Sequence, residues 1–268
     1  MTTLGWIAIN GFREAVRDKV MYSLVAFAVI LIGASFILGE LTAGRDLKIM
    51  KDLGLSAIGI FGLFMAIFIG IGLVSKEVEK RSVYALLAKP IRRSELVLGK
   101  YLGLVLTLIV NIAVMTAALY LVLGYLGWQE NEFAKKAWET PLFDPAMLVA
   151  VGLTLVQLMM VTAVAVFFST FSTPILSAAL TFAVWVAGYF SADLRNFDQV
   201  VDSRPAQLLA RGLYYILPNF GPFDVTAQVV HGLHVSGTYV ALTVAYGLTY
   251  IAILLVVSMT IFSRRDFK

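Results

Sequence analysis

Long apolar stretches alternate with short charged segments along the whole chain. An α-helix needs about 20 apolar residues to cross the hydrocarbon core of a bilayer, which is roughly 30 Å thick. The stretches near or above this length are Val20–Gly39, Leu53–Val74, Leu96–Gly127, Ala146–Phe168, Pro174–Phe190 and Gly237–Phe262. The pattern predicts an all-α, polytopic membrane protein in which residues 1–268 form one six-span domain. The fifth stretch is short, and the third is long enough to tilt or to project beyond the bilayer.

The first 19 residues have a helical period of apolar and charged positions. The apolar positions are Leu4, Ile7, Ala8, Gly11, Phe12, Ala15 and Val16, and the opposite side has Arg13, Glu14, Arg17 and Asp18. This pattern predicts an amphipathic helix that lies along the membrane surface. The alternative is a simple anchor at the start of the first span.

Composition agrees with a membrane protein. Hydrophobic residues make up 60% of the chain and charged residues only 14%, with a mean hydropathy of +0.87. A soluble domain has about 25% charged residues. The net charge of +4 is too small to indicate a nucleic-acid partner, and the absence of cysteine excludes disulfides and thiolate metal sites.

The basic residues predict the orientation. One side of a six-span chain would hold Arg13, Arg17, Lys19, Lys76, Lys80, Arg81, Lys89, Arg92, Arg93, Lys100, Arg264, Arg265 and Lys268. The other side has fewer basic residues, spread over longer loops. By the positive-inside rule both termini are expected in the cytoplasm, with the protein in the inner membrane of a bacterium or archaeon.

Two loops on the predicted outer side are long. Trp128–Pro145 has the composition of a short solvated helix, and Ser191–Ser236 is the longest connection. Within the second loop, Pro205–Leu217 has one apolar face and ends at Pro218, which predicts a helix that lies on the outer leaflet or dips into it.

Motifs of soluble enzymes are missing. The chain has no GxxxxGKS/T loop for ATP phosphates, no HExxH and no GxSxG. His231 and His234 lack a clear third ligand and are interpreted as polar residues at the outer interface. Ionisable residues are nearly lacking in the predicted spans, which argues against an ion-coupled carrier. Asn111 and Gln157 are expected to form hydrogen bonds between helices.

Small residues mark close helix contacts. They are Gly59, Gly62, Ala66, Gly70 and Gly72 in the second span, and Gly99 with Gly103 in the third. Two interpretations stay open, which are packing within one subunit and a dimer interface.

The segment Ser75–Gly103 is the most informative. A dense charge cluster precedes a short helix with Val83, Leu86 and Leu87 on one side, and Pro90 ends that helix. A solvated loop does not need these apolar side chains, so the pattern predicts a cytoplasmic elbow whose apolar tip contacts a partner protein.

This segment resembles the signature of ABC type 2 permeases, the membrane subunits of ATP-binding-cassette exporters. The matching residues are Glu77, Glu79, Arg81, Ser82, Leu86, Leu87, Pro90, Ile91, Arg93, Glu95, Gly99 and Lys100. The N-terminal FREAVRDKVMYS and the ILPNF stretch around Pro218 also resemble this family, which shares the six-span layout.

The resemblance implies a role for each part of the chain. Within an elbow at residues 75–95, Ser82–Lys89 would be a coupling helix that docks on a separate ATPase, which would bind ATP and Mg²⁺; this chain itself would bind no cofactor. The implied coupling residues are Glu77, Glu79, Lys80, Arg81, Val83, Leu86, Leu87, Lys89, Pro90 and Arg93. Phe12, Arg13 and Arg17 would brace the ATPase, and Pro218, Asn219 and Phe220 would form an outer gate within residues 191–236.

The implied function is that of an exporter permease with two ATPase copies, a second permease copy or a related permease, and lipid around it. One alternative is an assembly that transmits force to periplasmic or cell-surface machinery without bulk transport. An intramembrane enzyme lacks a convincing catalytic pair, and a scaffold without ATPase leaves the apolar elbow unexplained. The apolar spans favour lipid-like or amphipathic cargo, and polymer cargo stays open.

Overall fold

The computed structural model describes residues 3–40, 46–79, 93–131, 135, 138, 140–191 and 204–264, and the regular elements in these ranges are helices without any strand. In chain order they are α1 (Thr3–Val16), α2 (Lys19–Glu40), α3 (Asp46–Glu79), α4 (Arg93–Gln129), α5 (Pro145–Ser169), α6 (Pro174–Tyr189), α7 (Arg204–Ile216), a 3-10 helix (Gly221–Phe223), α8 (Thr226–Val230) and α9 (Gly237–Arg264). The predicted all-α class is confirmed.

Five of the described helices are long and apolar enough to cross a membrane. These spans are Lys19–Gly39, Leu47–Ile71, Ser94–Gln129, Pro145–Ser169 and Gly237–Arg264. The remaining predicted span corresponds to α6, which has 16 residues and a length of about 24 Å, short of the hydrocarbon core. The count of six spans therefore stays a prediction. The third span is long, as expected, because α4 has 37 residues and extends about 55 Å.

Helix α5 begins where the sequence supplies a cap. Asp144 precedes it, and its carboxylate Oδ1 accepts a hydrogen bond from the backbone N–H of Ala146 at 2.9 Å. Pro145 occupies the first helical position, where its missing N–H removes no intrahelical bond. Of the solvated helix predicted at Trp128–Pro145, the first two residues belong to α4, and residues 132–134, 136, 137 and 139 lie outside the described residues.

The centre of the bundle is the contact between α3 and α5. A Cβ atom on Gly62 would lie 2.5 Å from Cδ1 of Leu158, and one on Gly70 would clash with Cβ of Ala165. These glycines therefore let two helices of the same chain approach closely. By contrast, α2 and α9 expose apolar side chains such as Ile30 and Leu242 outward.

The helices define two faces of the bundle. We call the face with α1 and the start of α4 the near face, and the opposite one the far face. At the far face, Lys51 of α3 contacts Pro141 ahead of α5, and Tyr239 at the start of α9 contacts Pro222. The predicted elbow, which joins the end of α3 to the start of α4, is thus attached at the near face.

Candidate functional site

The predicted coupling residues are only partly described. Glu77 and Glu79 lie in the last turn of α3, and Arg93 is the first residue of α4. The remaining coupling residues are Lys80, Arg81, Val83, Leu86, Leu87, Lys89 and Pro90, and they lie outside the described residues. What the structure describes is the pair of helices that enters and leaves the elbow.

Helix α1 packs against the start of α4 through two glycines. A Cβ atom on Gly99 would lie 2.8 Å from Cβ of Ile7, and one on Gly103 would lie 2.5 Å from the carbonyl oxygen of Ala8 and 3.0 Å from the backbone nitrogen of Phe12. Only glycine permits this approach of two backbones. The GxxxG pair therefore holds α1 within one subunit. We call this contact the glycine seat.

The predicted brace residues lie on both sides of α1. Phe12 is half-buried beside Gly103, whereas Arg13 and Arg17 are exposed, with Arg17 in the turn after the helix. The apolar face of α1 is thus used for docking on α4, and its charged face is open on the near face of the bundle. This division follows the amphipathic pattern of the sequence.

At the far face, the segment Ile216–Pro222 is fastened to α9 by three tyrosines. The Tyr250 hydroxyl donates to the carbonyl of Ile216 at 2.8 Å, and the Tyr239 hydroxyl donates to the carbonyl of Pro222 at 2.8 Å. Between them, the Tyr246 hydroxyl accepts a hydrogen bond from the backbone N–H of Asn219 at 2.9 Å. We call these three residues the tyrosine row.

The tyrosine row shows that this segment enters the bundle. Tyr239 and Tyr250 are separated by about 16 Å along α9. The carbonyl of Ile216 at the end of α7 is therefore far from the far-face end of α9, and the chain returns outward to Pro222. Residues 216–222 thus run from part-way along α9 back toward its far-face end, and we call them the re-entrant segment. The tyrosine hydroxyls satisfy backbone groups that hydrocarbon would leave without partners.

The predicted gate residues lie within the re-entrant segment. Pro218 and Phe220 are buried and Asn219 is half-buried. Gly188 of α6 accepts a hydrogen bond from the backbone N–H of Phe220 at 3.1 Å, and a Cβ at this glycine would clash with the carbonyl oxygen of Pro218. The Asn219 side chain accepts from the N–H of Gly221 at 3.1 Å. The segment is therefore attached to α6 as well as to α9.

Lys51 is a buried charge that lies just before the predicted second span, Leu53–Val74. Its ammonium donates to the Thr140 hydroxyl at 3.0 Å and to the carbonyl of Pro141 at 2.7 Å, and the side chain is fully buried. It lies inside the span Leu47–Ile71, which begins six residues before the predicted start at Leu53, so the predicted span did not include it. Paired in this way, the lysine fastens the loop before α5 to α3.

A helical pattern would have revealed this position. Leu47, Met50, Lys51, Gly54 and Leu55 recur at helical spacing and are all buried. Extending the second span back to Leu47 places the lysine on the inner face. The tyrosine row has no comparable signal, because its partners in residues 216–222 are distant in the sequence.

The remaining polar candidates give no additional site. Nδ1 of His231 donates to the carbonyl of Ala227 at 2.8 Å, and in the described part of the chain no group of three potential metal ligands is found. Gln157 is buried. The amide nitrogen of Asn111 has no hydrogen-bond partner among the described residues, so the interhelical bond expected there is not seen.

Comparison with known proteins gives a match over nearly the whole chain. Residues 5–267 match the family model described as ABC-2 family transporter protein. Among curated proteins, no sequence matches.

The glycine seat predicts that Gly103→Val displaces α1. The new side chain meets backbone atoms, which cannot rotate away, and overpacking of this kind costs about 1–3 kcal/mol. Because the chain has no cysteine, an Ile7→Cys reporter can measure the displacement. Its rate of maleimide labelling is expected to rise about tenfold in the valine variant, the equivalent of ~1.4 kcal/mol.

Gly59→Val is the matched control, since a Cβ at Gly59 has no described atom within 4 Å. Labelling of the reporter should stay at the parent rate in the control. Equal labelling in both valine variants would show that α1 does not depend on the seat.

The tyrosine row predicts that Tyr246→Phe loosens the re-entrant segment. Loss of the hydroxyl leaves the N–H of Asn219 without its acceptor, at a cost of about 1 kcal/mol. Amide hydrogen exchange in peptides covering residues 216–223 should become roughly fivefold faster. Tyr22→Phe, on the exposed surface of α2, should leave this exchange unchanged. An unaltered rate in Tyr246→Phe would contradict the assignment.

Proposed function

The chain belongs to the family of ABC-2 transporter proteins, and from this we propose that it is the permease subunit of an exporter driven by a separate ATPase. Family membership makes it the membrane subunit of an ABC transporter. The sequence has no GxxxxGKS/T loop, so ATP and Mg²⁺ are assigned to the partner. Two ATPase copies and two permease copies, identical or related, complete the proposed assembly.

The observation that carries this proposal is the convergence of three elements at the near face. The end of α3, the start of α4 and the exposed side of α1 lie there together, because the glycine seat holds α1 on the first turns of α4. The elbow joins α3 to α4. An ATPase that binds the apolar tip at Ser82–Lys89 would therefore also meet the charged side of α1, including Arg13 and Arg17.

Long helices provide the path for transmission. Helix α4 extends about 55 Å from the elbow to the far face, and it packs against α3, α5 and α9. A packed helix pair moves as a rigid body, so displacement of the elbow shifts the far-face end of α4. Because α9 has the tyrosine row, the movement reaches Pro218, Asn219 and Phe220, the proposed gate. Coupling requires the ATPase to bind the two permease conformations with different affinity.

The proposed topology places the near face in the cytoplasm. The basic residues of the elbow, of α1 and of the C-terminal tail then face the same side, in agreement with the positive-inside rule. This arrangement needs α6 as a sixth span. The far-face end of α6 contacts the re-entrant segment at Gly188. This contact supports a crossing in which the short helix α6 covers part of the bilayer and the re-entrant segment covers the remainder.

The docking tip predicts that Leu86→Asp/Leu87→Asp separates the ATPase from the permease. Two carboxylates in an apolar contact are costly to desolvate, so co-purification of the ATPase and transport should both fall at least about tenfold, the result of losing ~1.4 kcal/mol. Leu233→Asp is the matched control, since Leu233 is exposed at the far face. If the double variant still co-purifies with the ATPase and transports normally, the tip is not the docking site.

The proposed orientation is tested by labelling single cysteines in intact cells. Ser82→Cys should be protected from a membrane-impermeant maleimide until the membrane is opened, whereas His234→Cys should react at once. The native chain contributes no background because it has no cysteine. The reverse pattern would place the elbow outside the cell and reject coupling to a cytoplasmic ATPase.

A further inference from the structure

A half-open cavity lies at the near face beside the glycine seat. Its volume is about 340 Å³, and it is formed by α1, the turn into α2, the start of α2, the second half of α3, the start of α4 and the start of α6. This volume is at the lower end of the range for small-molecule sites, about 300–1,000 Å³. It accommodates a polar headgroup with a few adjoining carbons, and nothing much larger.

Charges of both signs line this cavity. Glu14 of α1 and Asp18 of the following turn contribute carboxylates, and Lys100 of α4 contributes an ammonium. Lys100 is only 8% exposed. Asp18 also accepts a hydrogen bond from the N–H of Val20 at 3.0 Å, and both Asp18 and Lys100 have further interactions inside the protein. A ligand here would join a fixed polar network.

The rest of the wall is apolar and continues onto the outer surface. Leu104 lies inside, whereas Val20, Phe68 and Ile175 line the cavity and are also exposed. On a helix bundle surrounded by lipid, these exposed side chains face acyl chains. The site therefore has a polar interior and an apolar exit toward the bilayer.

We propose that this cavity binds the headgroup of a phospholipid with a primary amine. The ammonium of Lys100 matches the phosphate, and the carboxylates of Glu14 and Asp18 match the amine, which is the charge pattern of a zwitterionic aminophospholipid. The acyl chains leave along Val20, Phe68 and Ile175. A phospholipid is chosen over a soluble phosphoamine because of this apolar exit.

The bound lipid would join α1 to α4 and α6. It contacts α1 through Glu14, α4 through Lys100 and α6 through Ile175, so it strengthens the docking that the glycine seat begins. This inference does not depend on ATPase coupling or on the direction of transport, because it concerns the isolated chain in a membrane.

Native mass spectrometry of the purified full-length chain tests the proposal. The detergent-solubilised protein is titrated with phosphatidylethanolamine, phosphatidylcholine, phosphatidylglycerol and soluble phosphoethanolamine. We expect phosphatidylethanolamine to bind about tenfold more tightly than each of the other three, the effect of charge-assisted hydrogen bonds to the amine. Equal binding of the phospholipids overturns the headgroup assignment, and equal binding of soluble phosphoethanolamine overturns the lipid assignment.

Variants locate the binding. Glu14→Gln/Asp18→Asn should remove the preference for phosphatidylethanolamine over phosphatidylglycerol, and asparagine still caps α2 in place of Asp18. Lys100→Met should weaken binding of both lipids. Asp52→Asn/Glu130→Gln, with the same charge change at the far face, is the control and should bind like the parent. If Glu14→Gln/Asp18→Asn still prefers phosphatidylethanolamine over phosphatidylglycerol, the proposed site is wrong. This outcome is decisive even if Lys100→Met does not fold.

Discussion

Hydrocarbon offers no partner for a backbone or side-chain hydrogen bond, and this constraint shapes the parts of the structure that are not helix. The re-entrant chain from Ile216 to Pro222 exchanges its backbone bonds with tyrosine hydroxyls of α9 and with Gly188 of α6. Lys51 meets the constraint in the same way, through Thr140 and Pro141. Both of these irregular segments are therefore attached to specific helices.

The two faces of the bundle are specialised in different ways. At the near face, α1 and α4 are in direct backbone contact because Gly99 and Gly103 have no side chains. At the far face, contact is made by large aromatic side chains with a polar tip. The first arrangement depends on shape and tolerates no added carbon. The second depends on single hydroxyl groups.

Sequence patterns predicted the helical class, six spans of which five are long apolar helices in the structure, the N-terminal helix and the helix that ends before Pro218. Hydropathy and amphipathic period are local properties, so the sequence alone reveals them. The patterns did not predict which residues these helices contact. Gly99 and Gly103 indicated a close contact, but whether with the same chain or another depended on the position of α1. Likewise, Gly188 and Tyr246 have no local signal that relates them to Asn219 or Phe220, which are distant in sequence.

The attachment points of the re-entrant segment set a limit on movement at the far face. The backbone of Phe220 is hydrogen-bonded to α6 and that of Pro222 to α9, and only Gly221 lies between these two anchors. A fully extended chain of that length reaches about 7 Å. A larger separation of α6 and α9 at this point would first have to break one of the two hydrogen bonds, so it would occur in a discrete step rather than by gradual spreading.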